Sequence, residues 1–360
     1  MTGKKLLSVG IAGCGAAVAL YYRPALQILE RQQEVCVTTL FDPEPHRAKE
    51  IGRVFQQAVC ARDFEEMLQQ KLDLIILASP PRYHAEQAIR ALQSGRPILC
   101  EKPLAPTVAE CEEMISTASV HDQLLAVGLS RRYMAATSAI RDLLSRAIIG
   151  ELESFYCFEG GPFQWPARST HYFDKSIGGV LLDLGVHTMD LLIWWLGRPV
   201  EIAYEDDAIG GVEANCRIRI SYRGFRGEVR LSRDWPRPNT YVFRGSKGWI
   251  TWPVNEADRV QIGLHNSPYI LDASLQKLSE KSNAPAIASP ADNFHQSYVT
   301  QIRNVICALA GEEMLAVSAQ DALESIKVIE HCYKNRTLLP MSWMNPRELQ
   351  RARTLSGSTV

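Results

Sequence analysis

One segment of the sequence places ionisable side chains where almost every other residue is apolar. From Val180 to Leu196 the chain consists mostly of Leu, Val, Ile, Met and Trp, interrupted by Asp183, His187 and Asp190. Burial of such groups must be compensated by hydrogen bonds or by a function. If the segment is helical, the spacings i, i+4 and i+7 place all three on one face. The sequence therefore predicts a polar stripe on a buried helix.

An imidazole on such a stripe is suited to proton transfer, because its pKa lies near neutral pH without large perturbation. We predict that His187 takes the proton from a substrate hydroxyl, that Asp183 orients the substrate or the proton relay, and that Asp190 supports His187 or a structural network. The alternative is a core histidine that is satisfied by a neighbouring carboxylate. Asp and His at i, i+4 also ligate zinc, but no third ligand stands at suitable spacing, so no metal is predicted.

A lysine stands at the end of a predicted strand in Cys100-Glu101-Lys102-Pro103. Ligands of parallel sheets bind beyond the carboxyl ends of the strands. A lysine at that edge polarises a hydroxyl or carbonyl oxygen and stabilises its developing negative charge. Lys102 is therefore a candidate to hold the reacting oxygen near a bound cofactor, and the alternative is a solvated surface charge.

The elements that position Lys102 are short apolar runs alternating with segments of helical period, from residue 6 to about residue 128. The predicted strands are 6–12, 35–41, 74–78, 97–100 and 124–128. The predicted helices are 16–33, 44–57, 63–70, 84–94 and 107–119. This alternation predicts a parallel sheet covered on both faces, which is a doubly wound (Rossmann) α/β domain.

The elements that position His187 are mainly strands without intervening helices. The predicted strands are 151–158, 200–206, 212–222, 225–235, 241–244 and 249–252, with a hairpin connection at 245–248. The predicted helices are 133–146, 179–196, 293–310 and 319–335. This pattern predicts an α+β domain with an open, mainly antiparallel sheet that carries the last three helices on one face. Residues 255–291 are expected to form irregular covering segments.

A glycine-rich turn, Gly13-Cys14-Gly15, directly follows the first predicted strand and precedes a helix. Glycines there let backbone N–H groups approach a pyrophosphate at the helix N-terminus, so Gly13, Gly15 and Ala16 are candidate dinucleotide contacts. Val18 occupies the third position of the fingerprint, where Gly or Ala is usual. The alternative is a βα turn that binds nothing.

Asp42 ends the second predicted strand, where a carboxylate accepts hydrogen bonds from the hydroxyls of an adenine ribose and repels a 2′-phosphate. The sequence therefore favours NAD as the cofactor over NADP. Asp42 lies further from the glycines than the usual ~20 residues, and Arg47 is near enough in sequence to meet a phosphate. The alternative role for Asp42 is to cap the following helix.

A third group of residues, Ser79-Pro80-Pro81 and then His84, follows the predicted strand 74–78 at the same carboxyl edge. The two prolines stiffen this wall. We predict that Ser79, Pro80 and His84 contact the cofactor. The alternative for His84 is to cap its helix without touching a ligand.

The composition indicates a protein that acts on small molecules. The 360 residues carry 39 Lys and Arg against 40 Asp and Glu, so the formal charge of −1 offers no general attraction to nucleic acid or anionic lipid. Nine scattered cysteines without zinc spacing indicate buried thiols in a reducing compartment, which predicts a cytoplasmic protein. Three ionisable groups in the apolar stretch around His187 argue against a membrane span.

The first residues also resemble a targeting segment. Lys4-Lys5 and the apolar run that follows mimic a secretory signal, and residues 11–14 resemble a lipoprotein cleavage box. The same residues supply the first strand that the βα pattern requires, so we favour the strand.

Five stretches, taken in order, resemble the Gfo/Idh/MocA oxidoreductase family of glucose-fructose oxidoreductase and inositol dehydrogenase relatives. They are Gly13-x-Gly15 with Pro24-Ala25-Leu26 downstream, Asp42, Ala78-Ser79-Pro80-Pro81 leading to His84, Glu101-Lys102-Pro103, and Gly178-Gly179 followed by Asp183-x-x-x-His187-x-x-Asp190. The similarity spans residues 6 to about 335.

This resemblance implies a Rossmann domain, a second α/β domain whose open sheet often mediates oligomerisation, and NAD(P)-dependent redox chemistry on sugars or cyclic polyols. It implies Lys102, Asp183 and His187 as the catalytic set and adds Glu101 to the cofactor contacts. We accordingly expect a homodimer or homotetramer formed through that sheet. Tyr22 is a departure, because a histidine is common at its position.

Substrate contacts are expected from the loop that precedes the apolar segment and from one arginine after the first domain. Amide, indole and guanidinium groups suit a hydroxylated ring, and the arginines also suit a phosphate or nucleotide handle. The candidate residues are Arg132, Gln164, Trp165, Arg168, His171 and Tyr172.

The sequence therefore predicts a dinucleotide-binding domain at 1–128, a substrate-binding and oligomerisation domain at 129–345, and a polar tail at 346–360 that is expected to fray. The predicted function is NAD(P)-dependent hydride transfer between nicotinamide and a hydroxyl or keto carbon of a sugar, sugar derivative or cyclic polyol. The alternative is a non-catalytic sensor of the same fold that binds dinucleotide and regulates a partner protein.

Overall fold

The computed structural model describes residues 6–166, 170–174, 177–254, 256–275, 290–342 and 344–356, without the side chains of residues 170, 171, 273 and 290–293. The chain divides into two compact units. The first unit contains Met1–Ser130, Pro166–Ser169 and His295–Ile326. The second unit contains Arg131–Trp165, Thr170–Phe294 and Lys327–Val360.

The first unit is built on a six-stranded parallel sheet with the order β3-β2-β1-β4-β5-β6. Its strands are β1 (Leu7–Ala12), β2 (Val35–Phe41), β3 (Val59–Cys60), β4 (Leu74–Leu77), β5 (Ile98–Cys100) and β6 (Leu125–Val127). Strands β4, β5 and β6 are continuous apolar runs, as is typical of a parallel sheet buried on both faces. This strand order is that of a Rossmann fold, so the predicted doubly wound domain is confirmed.

The helices of this sheet begin where capping groups stand in the sequence. A π-helical segment, Val18–Tyr22, leads into α1 (Arg23–Arg31), and α2 (Pro45–Gly52), α3 (Phe64–Leu68), α4 (His84–Gln93) and α5 (Val108–Val120) follow. Asp63 accepts the Glu66 N–H at the start of α3, and Thr107 and Glu110 form a reciprocal capping box at the start of α5. Strand β3 escaped prediction because it has two residues, both exposed.

The second unit is built on a nine-stranded sheet with the order β14-β13-β12-β11-β7-β10-β9-β8-β15. Its strands are β7 (Leu152–Gly160), β8 (Glu201–Asp206), β9 (Asn215–Ser221), β10 (Arg226–Ser232), β11 (Thr240–Gly245), β12 (Gly248–Pro253), β13 (Arg259–Leu264), β14 (Ile270–Ser274) and β15 (Arg336–Leu338). The pairs β7–β10 and β8–β15 are parallel and the others are antiparallel. The predicted open, mainly antiparallel sheet is therefore confirmed, and Gly245 pairs with Gly248 in the predicted hairpin.

The prediction that residues 255–291 are irregular was wrong for part of that range. Strands β13 and β14 lie there and form an antiparallel pair at one edge of the sheet, with Arg259 opposite Ser274. An edge strand exposes one side and one rim to water, so polar residues interrupt its apolar pattern. Strand β15 has only three residues and was missed for its shortness.

The remaining helices are α6 (Ala135–Ser145), α7 (Val186–Leu196), α8 (Pro290–Leu309), α9 (Ala319–Lys334) and α10 (Pro346–Ser356). A second π-helical segment, Leu181–Gly185, runs directly into α7. The indole of Trp195 on α7 meets the rings of Phe243 and Trp252 edge-on, at centroid distances of 5.4 and 6.1 Å. These aromatic contacts anchor α7 on the sheet.

Helix α8 was predicted within the 129–345 domain, but from His295 onward it packs in the first unit. The ring of Tyr298 contacts the rings of Tyr21 and Tyr22, at centroid distances of 5.1 and 5.4 Å. The side-chain amide of Gln301 donates a hydrogen bond to the Tyr22 hydroxyl. Helical periodicity shows that a helix has an apolar face but not which core covers it, so the 1–128 boundary omitted this helix.

The polar tail predicted at 346–360 is helical over most of its length. Helix α10 occupies Pro346–Ser356, and its N-terminus is capped by Asn345, whose side chain accepts the N–H groups of Arg347 and Glu348. Ala352 is buried against the protein. The sequence did not predict that one side of α10 is buried, because most residues of this helix are polar.

Candidate active site

The two glycines of the turn after β1 lie in different surroundings. Gly13 has φ of +88°, and a Cβ on it would lie 2.5 Å from the backbone nitrogen of Ser79. Gly13 is therefore needed for the close approach of two chain segments. A Cβ on Gly15 would meet no protein atom within 4 Å. The turn is thus open on the Gly15 side, where the backbone fits the approach of a cofactor phosphate.

Asp42 uses its carboxylate within the protein. Its Oδ2 accepts the Cys14 N–H at 2.8 Å, and its Oδ1 accepts the Glu44 N–H at 2.9 Å. Only 6% of the residue is exposed. Asp42 therefore connects the glycine-rich turn to the end of β2. Its bond to the Glu44 N–H, just before α2, is similar to the capping role predicted as the alternative. Arg47 lies beside it, with Nη1 4.0 Å from Oδ1.

His84 was predicted to contact the cofactor, and the structure gives it a different place. Its Nε2 lies 2.8 Å from the Ser79 carbonyl oxygen and its Nδ1 lies 2.9 Å from the Pro103 carbonyl oxygen, while the residue is fully buried. A neutral imidazole carries a single N–H, so it donates to one of these two carbonyls, and the other nitrogen lies beside the second. The imidazole joins the segments that follow β4 and β5, so we correct its predicted role from cofactor contact to positioning of those segments.

Two opposing effects act on the His84 ring. Burial lowers its pKa below 6.5, and the facing backbone carbonyls raise it to a smaller extent.

In the same segment, the Ser79 hydroxyl donates a hydrogen bond to the side-chain oxygen of Gln87, and Ser79 and Pro80 are half-buried. They keep their predicted place at the carboxyl edge of the sheet.

Glu101 is buried and is engaged by neighbouring protein groups. Its carboxylate accepts the Tyr22 hydroxyl at 2.7 Å and the Lys102 N–H at 3.1 Å. Burial raises its pKa above the ordinary value. Glu101 therefore also holds the Lys102 backbone, and its cofactor contact stays a prediction. Lys102 itself is half-buried, directly after β5.

The polar stripe predicted along 180–196 is present for two of its three members. Asp183 and His187 are half-buried, whereas Asp190 is buried. Asp190 accepts two hydrogen bonds from Arg132, from Nε at 3.0 Å and from Nη2 at 2.6 Å. Asp190 therefore belongs to a structural network, which was one of its two predicted roles.

Arg132 was predicted to contact substrate, and its burial opposes that role. Only 6% of the residue is exposed, and its guanidinium forms a bidentate pair with Asp190 and lies over the ring of Trp194. A buried charge requires such a partner, because its desolvation is costly. We therefore remove Arg132 from the substrate contacts.

The Gly178-Gly179 pair makes room for a carboxylate that was not predicted. Gly178 has φ of +91°, and a Cβ on Gly179 would lie 2.6 Å from the carboxyl carbon of Glu213. The Glu213 carboxylate accepts the N–H groups of Gly179 and Leu181 at 3.2 and 3.0 Å, and the Tyr333 hydroxyl at 2.8 Å. Glu213 thus satisfies N–H groups at the start of the helical segment that carries Asp183.

Asp183 has an ion-pair partner, Arg233, that the sequence did not reveal. Nη2 of Arg233 donates to Oδ2 of Asp183 at 3.1 Å, and Nη1 donates to the Tyr172 carbonyl oxygen at 3.1 Å. Arg233 directly follows β10, fifty residues beyond Asp183 in the chain. The sequence analysis places Arg233 inside the predicted strand 225–235, so its position just beyond the end of β10 comes from the structure.

The predicted substrate loop is only partly described. Gln164 is exposed, and Trp165 and Tyr172 are half-buried. Arg168 and the side chain of His171 lie outside the described residues. The loop is attached to the end of β10, because the Phe163 N–H donates to the Arg233 carbonyl oxygen at 3.1 Å.

Grouped metal ligands and long apolar helices are absent from the part of the chain that the structure describes. There, no three His, Cys, Asp or Glu side chains group closely enough to hold a metal ion. No helix within the same ranges has both the length and the apolarity needed to cross a bilayer. The cysteines are free thiols, and those that are buried are Cys14, Cys100, Cys111, Cys157, Cys216 and Cys332.

Comparison with known proteins decides the family. Residues 7–129 match the family described as an oxidoreductase family with an NAD-binding Rossmann fold, and residues 141–337 match its C-terminal alpha/beta domain. The chain belongs to the Gfo/Idh/MocA oxidoreductase family. The predicted resemblance is thereby confirmed, and so is the two-part fold of this family.

Among the Gfo/Idh/MocA relatives are two curated enzymes and one solved structure. The chain is 27% identical to dTDP-3,4-didehydro-2,6-dideoxy-alpha-D-glucose 3-reductase of Actinomadura kijaniata, over 90% of this chain and 94% of that protein. It is 25% identical to scyllo-inositol 2-dehydrogenase (NADP(+)) of Bacillus subtilis (strain 168), over 72% of this chain and 79% of that protein. Levoglucosan dehydrogenase in complex with NADH and levoglucosan shares the fold, with a TM-score of 0.76 at 18% identity, over 92% of this chain and 98% of that chain.

Proposed function

We propose that this oxidoreductase is an NAD-dependent dehydrogenase that transfers hydride between nicotinamide and a hydroxyl or keto carbon of a sugar, a sugar derivative or a cyclic polyol. The observation that carries the proposal is the partial exposure of Asp183 and His187, while their polar neighbours Thr188 and Asp190 are buried. Polar groups retained at the edge of an apolar segment are available for chemistry. The names of the relatives support the substrate class.

In this mechanism His187 takes the proton from the substrate hydroxyl as the hydride leaves the same carbon, so that the C–OH group becomes C=O. The ammonium group of Lys102 donates a hydrogen bond to the same oxygen and stabilises its developing negative charge. Asp183 accepts a hydrogen bond from the substrate and orients it. Bound NAD would supply the two-electron hydride acceptor, and Gly15, Ala16, Ser79 and Pro80 would hold it.

The cofactor contacts follow from the carboxyl edge of the parallel sheet. The backbone of Gly15 and Ala16, in the half-buried turn, contacts the pyrophosphate. Ser79 and Pro80, in the neighbouring segment, are the other proposed contacts. NAD is proposed in preference to NADP because the Asp42 carboxylate would repel a 2′-phosphate next to this turn. The preference rests on the charge of Asp42, since its oxygens already accept two backbone N–H groups.

The test of the proposal is turnover of purified protein with NAD and a panel of sugars and cyclic polyols, followed by the absorbance of reduced nicotinamide. We expect at least one member to be oxidised. The alternative is a non-catalytic dinucleotide sensor that regulates a partner. Measurable NAD binding without turnover of any panel member, in either direction, would contradict the enzyme and favour the sensor.

The role of His187 is tested separately with His187→Gln, which keeps polarity but removes the base. We expect kcat to fall by about 10² or more, while the Kd for NAD stays within about twofold. His121→Gln, at an exposed position after α5, is the matched control and should retain activity. Turnover of the His187 variant near the wild-type rate would overturn the assignment.

We further propose a homo-oligomer, dimer or tetramer, that forms through the open face of the nine-stranded sheet. On that face Tyr156, Val242 and Thr251 stand in register on three adjacent strands and are half-buried in the single chain. Val242→Glu should reduce the molar mass measured by light scattering, whereas Val120→Glu, at an exposed helix end, should not.

The nine free thiols support the proposal of a reducing, cytoplasmic location.

A further inference from the structure

We propose that the ion pair of Arg233 and Asp183 makes this site select substrates that present an uncharged hydroxyl to Asp183, and discriminate against amino analogues that present an ammonium group. The inference rests on the proposed function, because it assigns a substrate class to the same site. It differs in its evidence, which is the distribution of charge and exposure within one ion pair.

The two partners of this pair are unequally exposed. Nη2 of Arg233 lies 3.1 Å from Oδ2 of Asp183, and the exposed fractions of the side chains are 7% for Arg233 and 23% for Asp183. The carboxylate is therefore the member that a small molecule reaches. The guanidinium lies behind it, close enough to act on any charge placed against the carboxylate.

The guanidinium is also fixed in place by contacts other than Asp183. Nη1 donates to the Tyr172 carbonyl oxygen at 3.1 Å, and the central carbon lies 5.0 Å from the ring centroid of Phe163. The backbone carbonyl of Arg233 accepts the Phe163 N–H at 3.1 Å. A charge held by hydrogen bonds and by an aromatic face does not move away when a ligand arrives.

A fixed, buried cation behind an accessible carboxylate has opposite effects on two kinds of substrate group. A hydroxyl donates to the carboxylate without gaining or losing charge, so the pair remains intact. An ammonium group at the same place meets the field of the Arg233 cation, and the pair offers it no net negative charge. Juxtaposed like charges are strongly unfavourable at partly desolvated sites, which predicts discrimination against amines.

The experiment compares kcat/KM for a neutral ring polyol that the enzyme oxidises with kcat/KM for its monoamino analogue, at a pH where the amine is protonated. In the wild type we expect the neutral substrate to be preferred by at least about tenfold. Arg233→Met keeps the unbranched stem of the side chain and removes its charge, so the preference should fall at least about tenfold or invert. Arg233→Lys keeps the charge and should keep the preference.

Arg237→Met is the matched control, because Arg237 is exposed nearby and lies over the ring of Trp235. It should leave the preference unchanged. If Arg233→Met does not fold, Asp183→Asn supplies the second test. The uncompensated Arg233 cation should then increase the preference for the neutral substrate, although total activity falls.

Three outcomes overturn the inference. They are a wild type that prefers the amine, an Arg233→Met variant that binds NAD normally with an unchanged preference, and an Arg237→Met variant that lowers the preference equally. A wild type that binds NAD but oxidises no sugar or polyol is a different result. It would refute the proposed function itself, and this inference would fall with it.

Discussion

The carboxylate of Glu213 lies against the backbone of Gly179, whose N–H it accepts at 3.2 Å. A Cβ on Gly179 would lie 2.3 Å from the backbone oxygen of Glu213 and 2.6 Å from its carboxyl carbon. The glycine pair in the family pattern thus has a physical reason in this chain. It lets a buried acid reach the first N–H groups of the segment that carries Asp183 and His187.

The first prediction concerns that close approach. Gly179→Ala forces apart two backbone segments, so we expect it to lower the free energy of unfolding by about 3 kcal/mol and to reduce kcat. Denaturant unfolding followed by tryptophan fluorescence measures the loss. Gly211→Ala is the matched control, since a Cβ there meets no atom within 4 Å, and it should be nearly neutral. Equal stability of the two variants would show that the contact is unimportant.

The second prediction concerns the pH dependence of Glu213. Burial raises the pKa of its carboxyl above 4.5. The native state therefore retains a proton that the unfolded chain loses, so this contribution to stability is full below about pH 4.5 and is lost as pH rises through the native pKa. Glu213→Gln removes the titration. The variant should gain on the wild type by about 1.4 kcal/mol for every pH unit between about 4.5 and the native pKa.

Unfolding free energies at several pH values from about 4 to about 8 test this expectation. Glu153→Gln, at an exposed position of β7, reports the general effect of removing one negative charge. If the stability of the wild type relative to Glu213→Gln stays constant as pH rises, or increases, then the Glu213 carboxyl does not titrate with a raised pKa.

The third prediction concerns His84, whose pKa is lowered by burial. Below about pH 6.5 the unfolded chain takes up a proton that the native imidazole does not, so its stabilising contribution is full above about pH 6.5 and is lost as pH falls towards the native pKa. His84→Asn should remove this slope, which is at most about 1.4 kcal/mol per pH unit. It should also lower kcat by freeing the Pro103 carbonyl beside Lys102.

Unfolding between about pH 5 and pH 7.5, together with kcat measured at about pH 7.5, separates these two effects. His121→Asn is the exposed control. A His84 variant that keeps the full wild-type slope would assign the slope to another group.

The fourth prediction concerns the choice of cofactor. Asp42→Asn removes the negative charge next to the glycine-rich turn and keeps one oxygen to accept a backbone N–H. We expect the ratio of kcat/KM with NADP to kcat/KM with NAD to rise by about tenfold. Asp142→Asn, at an exposed position of α6, is the control. An unchanged ratio would show that another group, such as Arg47, governs recognition of the 2′-phosphate.

Much of the fold was predictable because local patterns agree with their final surroundings. The runs that became β1, β2 and β4 are mostly apolar, and the same alternation predicts that the residues at their carboxyl ends face a ligand. The partial exposure of Asp183 and His187 agrees with the predicted helical face. Short or edge strands such as β3 and β14 carry too little of a pattern to be seen.

The partners of the site residues were not predictable, since each is distant in the chain. Arg132 and Asp190 were placed in separate roles, yet they form one buried ion pair. Glu213 reaches Gly179 across 34 residues, and Arg233 reaches Asp183 across 50. Sequence shows that a buried charge needs a partner, but only tertiary packing selects that partner.

The hydrogen bond from Gln301 to Tyr22 has a consequence for synthesis of the chain. Tyr22 donates to Glu101, so an acid at the heart of the amino-terminal sheet is enclosed by a helix that the ribosome makes some two hundred residues later. Until α8 emerges, the nascent sheet exposes that acid and the adjoining tyrosines to water. A polypeptide that ends near residue 130 would therefore lack the helix that covers this acid and these tyrosines. It would be prone to bind chaperones or to aggregate.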